Sequence, residues 1–213
     1  MHIALYGATG HAGSRILTEL LSRGHQVTAI TPNPSKINPQ PNLTVKQGDV
    51  DSAAAIAADI QGADAVVSAY APPFSDTDQL VAVTGNFIEA VRQAGTAGTA
   101  PRFLYVGGAS SLEVAPGLLL LDSGHLPVEW EAIGRSHRDG LNLIRKSEIN
   151  WTCFSPAAFF EPGQRTGKFR LGKDQLISDA EGNSRISMED YAIALADELE
   201  KPQHERQRFT IGY

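Results

Sequence analysis

A glycine triplet at the start of the chain, set between a short apolar run and a helical pattern, constrains the fold more than any other feature. His2-Ile3-Ala4-Leu5-Tyr6 has the length and character of a buried strand. Gly7-Ala8-Thr9-Gly10-His11-Ala12-Gly13 follows without a gap, and Ile16, Leu17, Leu20 and Leu21 then recur at helical spacing until Gly24. In such a strand–turn–helix, Gly7 permits a tight turn, Gly10 lets the backbone approach a pyrophosphate, and Gly13 lets the helix pack closely on the strand. The unpaired N–H groups around Thr9, His11 and Ala12 then face the anion. A glycine-rich turn can also bind nothing, but both flanks match here, so a dinucleotide site is the expectation.

The alternation continues along the chain. Residues 26–31 read as a second strand, Pro32, Pro34, Pro39 and Pro41 force an extended loop, and 43–47 read as a third. Asp51 or Ser52 can cap an Ala-rich helix reaching Gln61. Strands are predicted at 64–69, 102–106 and 150–154, with helices at 79–93 and 129–146. Alternating strands and helices with short loops imply right-handed βαβ units, hence an α/β, doubly wound, mainly parallel Rossmann sheet. After Pro156 the pattern breaks. A short strand near 175–178, a helix at 188–200 and a closing strand at 208–212 are predicted. At 213 residues the chain is too short for two ordinary domains. The expectation is one domain over 1–213: a dinucleotide-binding core to about 155 and a small irregular C-terminal substrate lobe from about 156.

Charge and cysteine content exclude several function classes. The 18 basic and 24 acidic residues give a net charge of −6, which argues against nucleic acid as a partner. Cys153 is alone, so no intramolecular disulfide can form, in keeping with a reducing cytoplasm. No apolar stretch approaches a membrane span, and a strand starting at His2 leaves no place for a signal peptide. A cytoplasmic protein without membrane or nucleic-acid contact is expected. The six histidines lack paired ligand spacing, so no metal site is expected.

Cofactor preference is read at the end of the second strand. A carboxylate there would bind the ribose 2′-hydroxyl of NAD. Thr31-Pro32-Asn33-Pro34-Ser35-Lys36 has none. Thr31, Asn33 and Lys36 could contact a 2′-phosphate, and Arg15 could reach it, so NADP(H) is favoured over NAD(H). For Lys36, a solvated loop charge is an equally open reading.

Gly-Ala-Thr-Gly-x-x-Gly after an N-terminal strand resembles the short-chain dehydrogenase/reductase superfamily in its extended and atypical branches. Residues 107–114, 151–163, 165–168, 183–187 and 190–192 narrow the resemblance to the "putative NADH-flavin reductases" of the NAD(P)H-binding, NmrA-like group, and more distantly to biliverdin-IXβ/flavin reductases. Similar reductases often carry Arg where Pro32 stands, and this chain departs from them there. The resemblance implies that Asp49 and Val50 border the adenine, although Asp49 could instead cap the next helix. It implies that Ser155, Pro156, Ala157 and Ala158 border the nicotinamide. Ala69, Tyr70, Gly107 and Gly108, at strand ends, complete the cofactor set.

The Tyr-x-x-x-Lys pair of ordinary members is missing: four residues after Tyr6, Tyr70, Tyr105 and Tyr191 come Gly10, Phe74, Ala109 and Leu195, and Tyr213 is last. A flavin (FMN or FAD) or quinone can take hydride without a strong side-chain acid. Ser110 and Ser111 could hydrogen-bond such a substrate, or cap the following turn. His137 could donate a proton, or be a surface histidine. Tyr70, Pro72, Pro73, Phe74, Phe159 and Phe160 could form an apolar wall for a planar small-molecule acceptor, or belong to the core. The expected activity is an NAD(P)H-dependent reductase of a planar acceptor. The alternative is a non-enzymatic, NmrA-like NAD(P) redox sensor, for which the short chain leaves little partner-binding surface. With so little chain beyond the core, an open cleft and a permissive reductase are expected.

Overall fold

His2–Tyr6 forms β1, with Ile3 and Leu5 buried on one face of the sheet and Ala4 and Tyr6 on the other. This is the two-sided burial that a central parallel strand requires. The computed structural model describes residues 1–95 and 99–213. After β1 come α1 (His11–Ser22), β2 (Gln26–Thr31), β3 (Leu43–Gln47), α2 (Ala53–Asp59), β4 (Ala65–Ser68), α3 (Gln79–Ala94) and β5 (Arg102–Val106). Then follow β6 (Glu113–Ala115), β7 (Leu118–Leu119), α4 (Val128–Arg145), β8 (Trp151–Ser155), β9 (Phe159–Glu161), β10 (Arg170–Gly172), β11 (Arg185–Ser187), α5 (Met188–Glu200) and β12 (Gln207–Gly212).

Among the described residues, eight strands form one sheet in the order β10-β12-β8-β5-β4-β1-β2-β3. All its pairings are parallel except β10 with β12. Helices α1 and α5 cover one face through Leu17, Leu20, Tyr191, Leu195 and Leu199. Ile56, Phe87, Leu141 and Ile144 of α2, α3 and α4 cover the other. The chain runs outward from β1 to β3 on one side and from β4 to β12 on the other. The strand order therefore reverses between β1 and β4, and ligands of such sheets bind beyond the carboxyl ends at that point. The doubly wound α/β sheet is as expected.

Local chemistry accounts for the helix ends. Ser52, not Asp51, caps α2, accepting from the Ala55 N–H at 3.5 Å, and the helix stops at Asp59, short of Gln61. Ser187 caps α5, accepting from the Asp190 N–H at 3.0 Å. The strand expected at 175–178 does not form. Gln175 makes one isolated bridge to Glu113, and Ile177 beyond it is drawn onto Gly172 and Gly212 of the sheet edge, where a Cβ would meet its side chain. β9, β10 and β11, three residues each, are the strands of this region, β9 pairing with β11 in a separate parallel pair.

The segment 162–168 is lashed to α1 and α5 by three carboxylates. Glu189 accepts from the Gly163 N–H at 2.7 Å and from Arg15 Nε at 3.1 Å. Glu19, buried on α1, accepts both arms of the Arg165 guanidinium at 2.9 and 2.8 Å. Asp190, fully buried, accepts from the Thr166 and Gly167 amides at 2.7 and 2.8 Å, the Thr166 hydroxyl at 2.5 Å and the Tyr213 phenol at 2.8 Å. Among the described residues, no helix is long and apolar enough to cross a membrane.

Candidate active site at the carboxyl edge of the sheet

The glycine loop has the geometry its spacing predicts. Gly7 sits at φ +81°, and a Cβ there would lie 2.2 Å from the Ala69 carbonyl oxygen. Its own carbonyl accepts from the Gly10 N–H at 2.9 Å, closing the turn. A Cβ on Gly13 would lie 2.0 Å from Gly7 O, so the start of α1 rests directly on the end of β1. Gly10 precedes the helix without a side-chain cap, no acidic residue stands in the first turn, and Thr9, Gly10 and His11 are exposed. The His11 and Ala12 amides find no acceptor in the described residues. Open amides at the positive end of a helix, with no carboxylate to compete, fit a pyrophosphate.

At the end of β2, Thr31 is buried and its Oγ1 accepts from the Asn33 N–H at 3.2 Å, while Asn33 Oδ1 accepts from Ser35 Oγ at 2.7 Å. Lys36 is exposed and has no ion pair among the described residues. Arg15 does not serve this end: Glu189 and the His11 carbonyl engage its guanidinium instead. Asp49 does not cap α2. Its Oδ1 accepts from the Asp51 N–H at 3.0 Å, and its side chain is exposed beside Val50, whose carbonyl accepts from Asn86 at 2.9 Å.

The strand-end residues of β4, β5 and β8 lie side by side. Ala69 touches Gly7, and Gly107 rests against β8, where a Cβ would meet Cys153 Sγ at 2.9 Å and Ser155 Oγ at 3.2 Å. Ser155 is fully buried, and its Oγ makes no hydrogen bond of normal geometry; the adjacent Cys153 thiol, pushed up to about 11 by burial, is a weak partner. Pro156 and Ala157 are buried, while Ala158 is exposed and its N–H donates to Ser184 Oγ at 3.1 Å.

The two serines turn inward instead of facing a substrate. Ser110 Oγ donates to Gly134 O at 2.9 Å, which commits its proton to α4. Ser111 Oγ accepts from the buried Arg208 at 3.0 Å. Neither caps the following turn. His137 is not a surface residue. It is half-buried with its ring against Gly108, where a Cβ would come within 2.9 Å, and its Nδ1 lies 3.1 Å from the Tyr105 hydroxyl. Burial pushes its pKa down to about 4, so the ring is neutral at physiological pH.

The aromatic residues divide. Phe160 packs on Tyr191 with ring centroids 4.8 Å apart, and Pro72 is buried, so both serve the core. Tyr70 is half-buried and donates to Gln79 at 3.1 Å. Phe74 is 64% exposed and meets Trp130 edge to face at 5.1 Å, and Trp130 is itself 49% exposed. Phe159, beyond β8, is 58% exposed. Sequence reasoning missed Trp130. Its signal was a large aromatic between Glu129 and Glu131 in an acidic first helical turn, a place with no core to fill. No cluster of metal-ligating side chains occurs among the described residues.

Comparison with known proteins agrees with this geometry. The family model for NAD(P)H-binding proteins matches residues 7–202. The uncharacterized protein YwnB of Bacillus subtilis (strain 168) is 40% identical, covering 99% of this chain and 98% of its own. A "putative epimerase" structure from Bacteroides thetaiotaomicron is 46% identical, with a TM-score of 0.92 over 100% of this chain and 96% of that one. A "putative NADH-flavin reductase" structure from Streptococcus pneumoniae TIGR4 is 33% identical, with a TM-score of 0.88 over 100% and 99%. With the glycine cradle, the strand reversal and these relatives together, the chain belongs to the NAD(P)H-binding family of Rossmann-fold proteins.

Proposed function

We propose that the protein is an NAD(P)H-dependent oxidoreductase that reduces a planar conjugated acceptor, such as a flavin or a quinone. The observation that carries this reading is the exposed Phe74–Trp130 pair on the loop after β4 and the first turn of α4. Both positions belong to the edge of the sheet that carries the glycine cradle. Two large aromatics left in water at a ligand edge are explained by a flat, apolar partner. The dinucleotide supplies the hydride when bound.

Each element has a defined task in this reading. The His11 and Ala12 amides hold the pyrophosphate, and Gly7, Gly10 and Gly13 allow its close approach. Asp49 and Val50 border the adenine. Thr31, Asn33 and Lys36 face the ribose end, where the missing carboxylate favours NADP(H). Gly107, Gly108 and residues 155–158 flank the nicotinamide. Phe74 and Trp130 on one side, with Phe159 on the other, offer apolar surface to the acceptor. The likeness to a named NADH-flavin reductase of 33% identity supports the acceptor class.

The test is a turnover assay of the purified protein with NADPH or NADH against FMN, FAD, riboflavin and menadione, following nicotinamide absorbance. Turnover of a planar acceptor is the expected result. Tight dinucleotide binding with no turnover on any acceptor would instead support a redox sensor.

A further inference from the structure

His137 is half-buried at a point where nothing in the core requires an imidazole. Its ring fills the space left by the missing side chain of Gly108, at the carboxyl end of β5. It lies seven residues after Trp130, two turns along the same face of α4 and about 10 Å deeper by helical rise. The aromatic pair thus stands at the start of α4, and His137 lies further along the same helix against the end of β5.

One ring nitrogen is fixed from behind. Tyr105 lies on β5 beneath the imidazole, and its hydroxyl is 3.1 Å from Nδ1. Thr84 also neighbours this phenol but donates its own proton to Leu80 O at 2.7 Å. Tyr105 Oη thus has two neighbours, His137 Nδ1 and the Thr84 hydroxyl oxygen. If Nδ1 carried the proton, the phenol would turn its O–H to Thr84 Oγ1 instead. With the Tyr105 O–H donating to Nδ1, the ring proton sits on Nε2. Nε2 has no protein partner among the described residues, and it is not among the polar atoms sealed from solvent, as Ser155 Oγ is.

We infer that His137, set in tautomer by Tyr105 and seated against Gly108, presents Nε2–H as the hydrogen-bond donor to the acceptor. This rests on the reductase reading above. As the acceptor gains a hydride, two electrons with one proton, negative charge appears on a conjugated oxygen or nitrogen. Nε2–H hydrogen-bonds that atom, and the second proton comes from water. The dinucleotide is oxidised and the acceptor reduced by two electrons, and the imidazole keeps its own proton. A neutral imidazole suits this role, because a fixed dipole aimed at developing charge stabilises it without a proton leaving the protein. The ionisable groups that pack behind it stay neutral too, since burial pushes Tyr105 upward and holds Cys153 at about 11. Arg138 and Asp139, on the same helix, pair with each other.

Two measurements test the inference, and the first does not depend on turnover. Ring 15N resonances of His137, assigned by loss in His137→Gln, are recorded without dinucleotide, with and without lumichrome, a planar ligand that then has no hydride donor to react with. The expected result is the Nε2–H tautomer, shifted on lumichrome binding and lost to a tautomer mixture in Tyr105→Phe. An Nδ1–H tautomer, or resonances indifferent to saturating lumichrome, would overturn the inference. Second, His137→Phe should lower kcat about 100-fold with dinucleotide affinity unchanged, and His137→Gln, which keeps a donor, should recover about tenfold of that loss. Equal activity of both variants with wild type would also overturn it. Absence of turnover in wild type counts against the reductase reading, and the resonances still decide whether Nε2–H faces a ligand.

Discussion

The carbonyl oxygen of Gly7 lies where a Cβ on Gly13 would be 2.0 Å away, so the first strand and the first helix touch backbone to backbone. Gly10, between them, is different. Its φ of −79° suits any residue, and its Cβ would meet Gly7 O at 3.3 Å. Gly13→Ala should therefore destabilise the fold by about 1–3 kcal/mol, read as a lower urea midpoint. Gly10→Ala should fold almost normally yet weaken NADPH binding at least tenfold, read by nicotinamide fluorescence. Unchanged affinity in Gly10→Ala would remove the anion cradle from its assigned place.

The burial of His137 has a pH signature. Its folded pKa of about 4 is below the unfolded value near 6.5, so the unfolded chain binds the extra proton between those values. Stability should fall as pH drops from about 6.5 to about 4, by at most about 1.4 kcal/mol per pH unit from this one group. His137→Gln should flatten that slope. An unaltered slope in urea melts across this range would show that the imidazole is solvated.

Asp190 acts lower on the pH scale. Burial alone would raise its pKa, but hydrogen bonds from the Thr166 hydroxyl, the Gly167 amide and the Tyr213 phenol outweigh it and lower the value. A depressed carboxylate contributes stability above its unfolded pKa, near 3.9, and loses it as pH falls through the folded value. Asp190→Asn should thus be clearly less stable at pH 7, with the gap to wild type closing below about pH 4. Proteolysis should cut first within 162–168 in the variant.

Arg102 and Glu198 form a buried ion pair beneath the far end of α5, with His204 donating to the same carboxylate at 2.7 Å. Removing one member leaves a charge without its partner. Glu198→Gln should cost about 3–5 kcal/mol, while Arg102→Met combined with Glu198→Met should cost less than the single change. Urea denaturation of the three proteins checks the order.

Lys36 is the cation nearest in sequence to the open end of β2. Lys36→Ala should weaken NADPH binding more than NADH binding, about tenfold against little change. Equal weakening of both would withdraw the preference for the phosphorylated cofactor.

The core of this architecture was legible because its signals are local. The glycine spacing, the short apolar strands and the helical run at 188–200 each act within one turn or one element, and helix 188–200 was read to the residue. What escaped was fixed across long separations. Ser110 and Ser111 take their partners from Gly134 and Arg208, 24 and 97 residues away, and neither pairing leaves a trace in the local pattern. His137 reads as solvent-facing beside Arg138, because the space that receives it is a missing side chain at Gly108. β9, β10 and β11 are three residues long, too short for periodicity to declare them.

Two of the three carboxylate anchors under residues 162–168 involve α1: Glu19 directly, and Glu189 through Arg15. In the proposed reading the same helix offers its first amides to the pyrophosphate. The chain that follows Ala158 and the chain that follows Gly7 are thus mounted on a single rigid rod, and the span between the two ends of an extended ligand is set by helix geometry instead of loop motion. Variants that alter Glu19 or Arg15 would change the gauge of the cleft without touching anything bound in it.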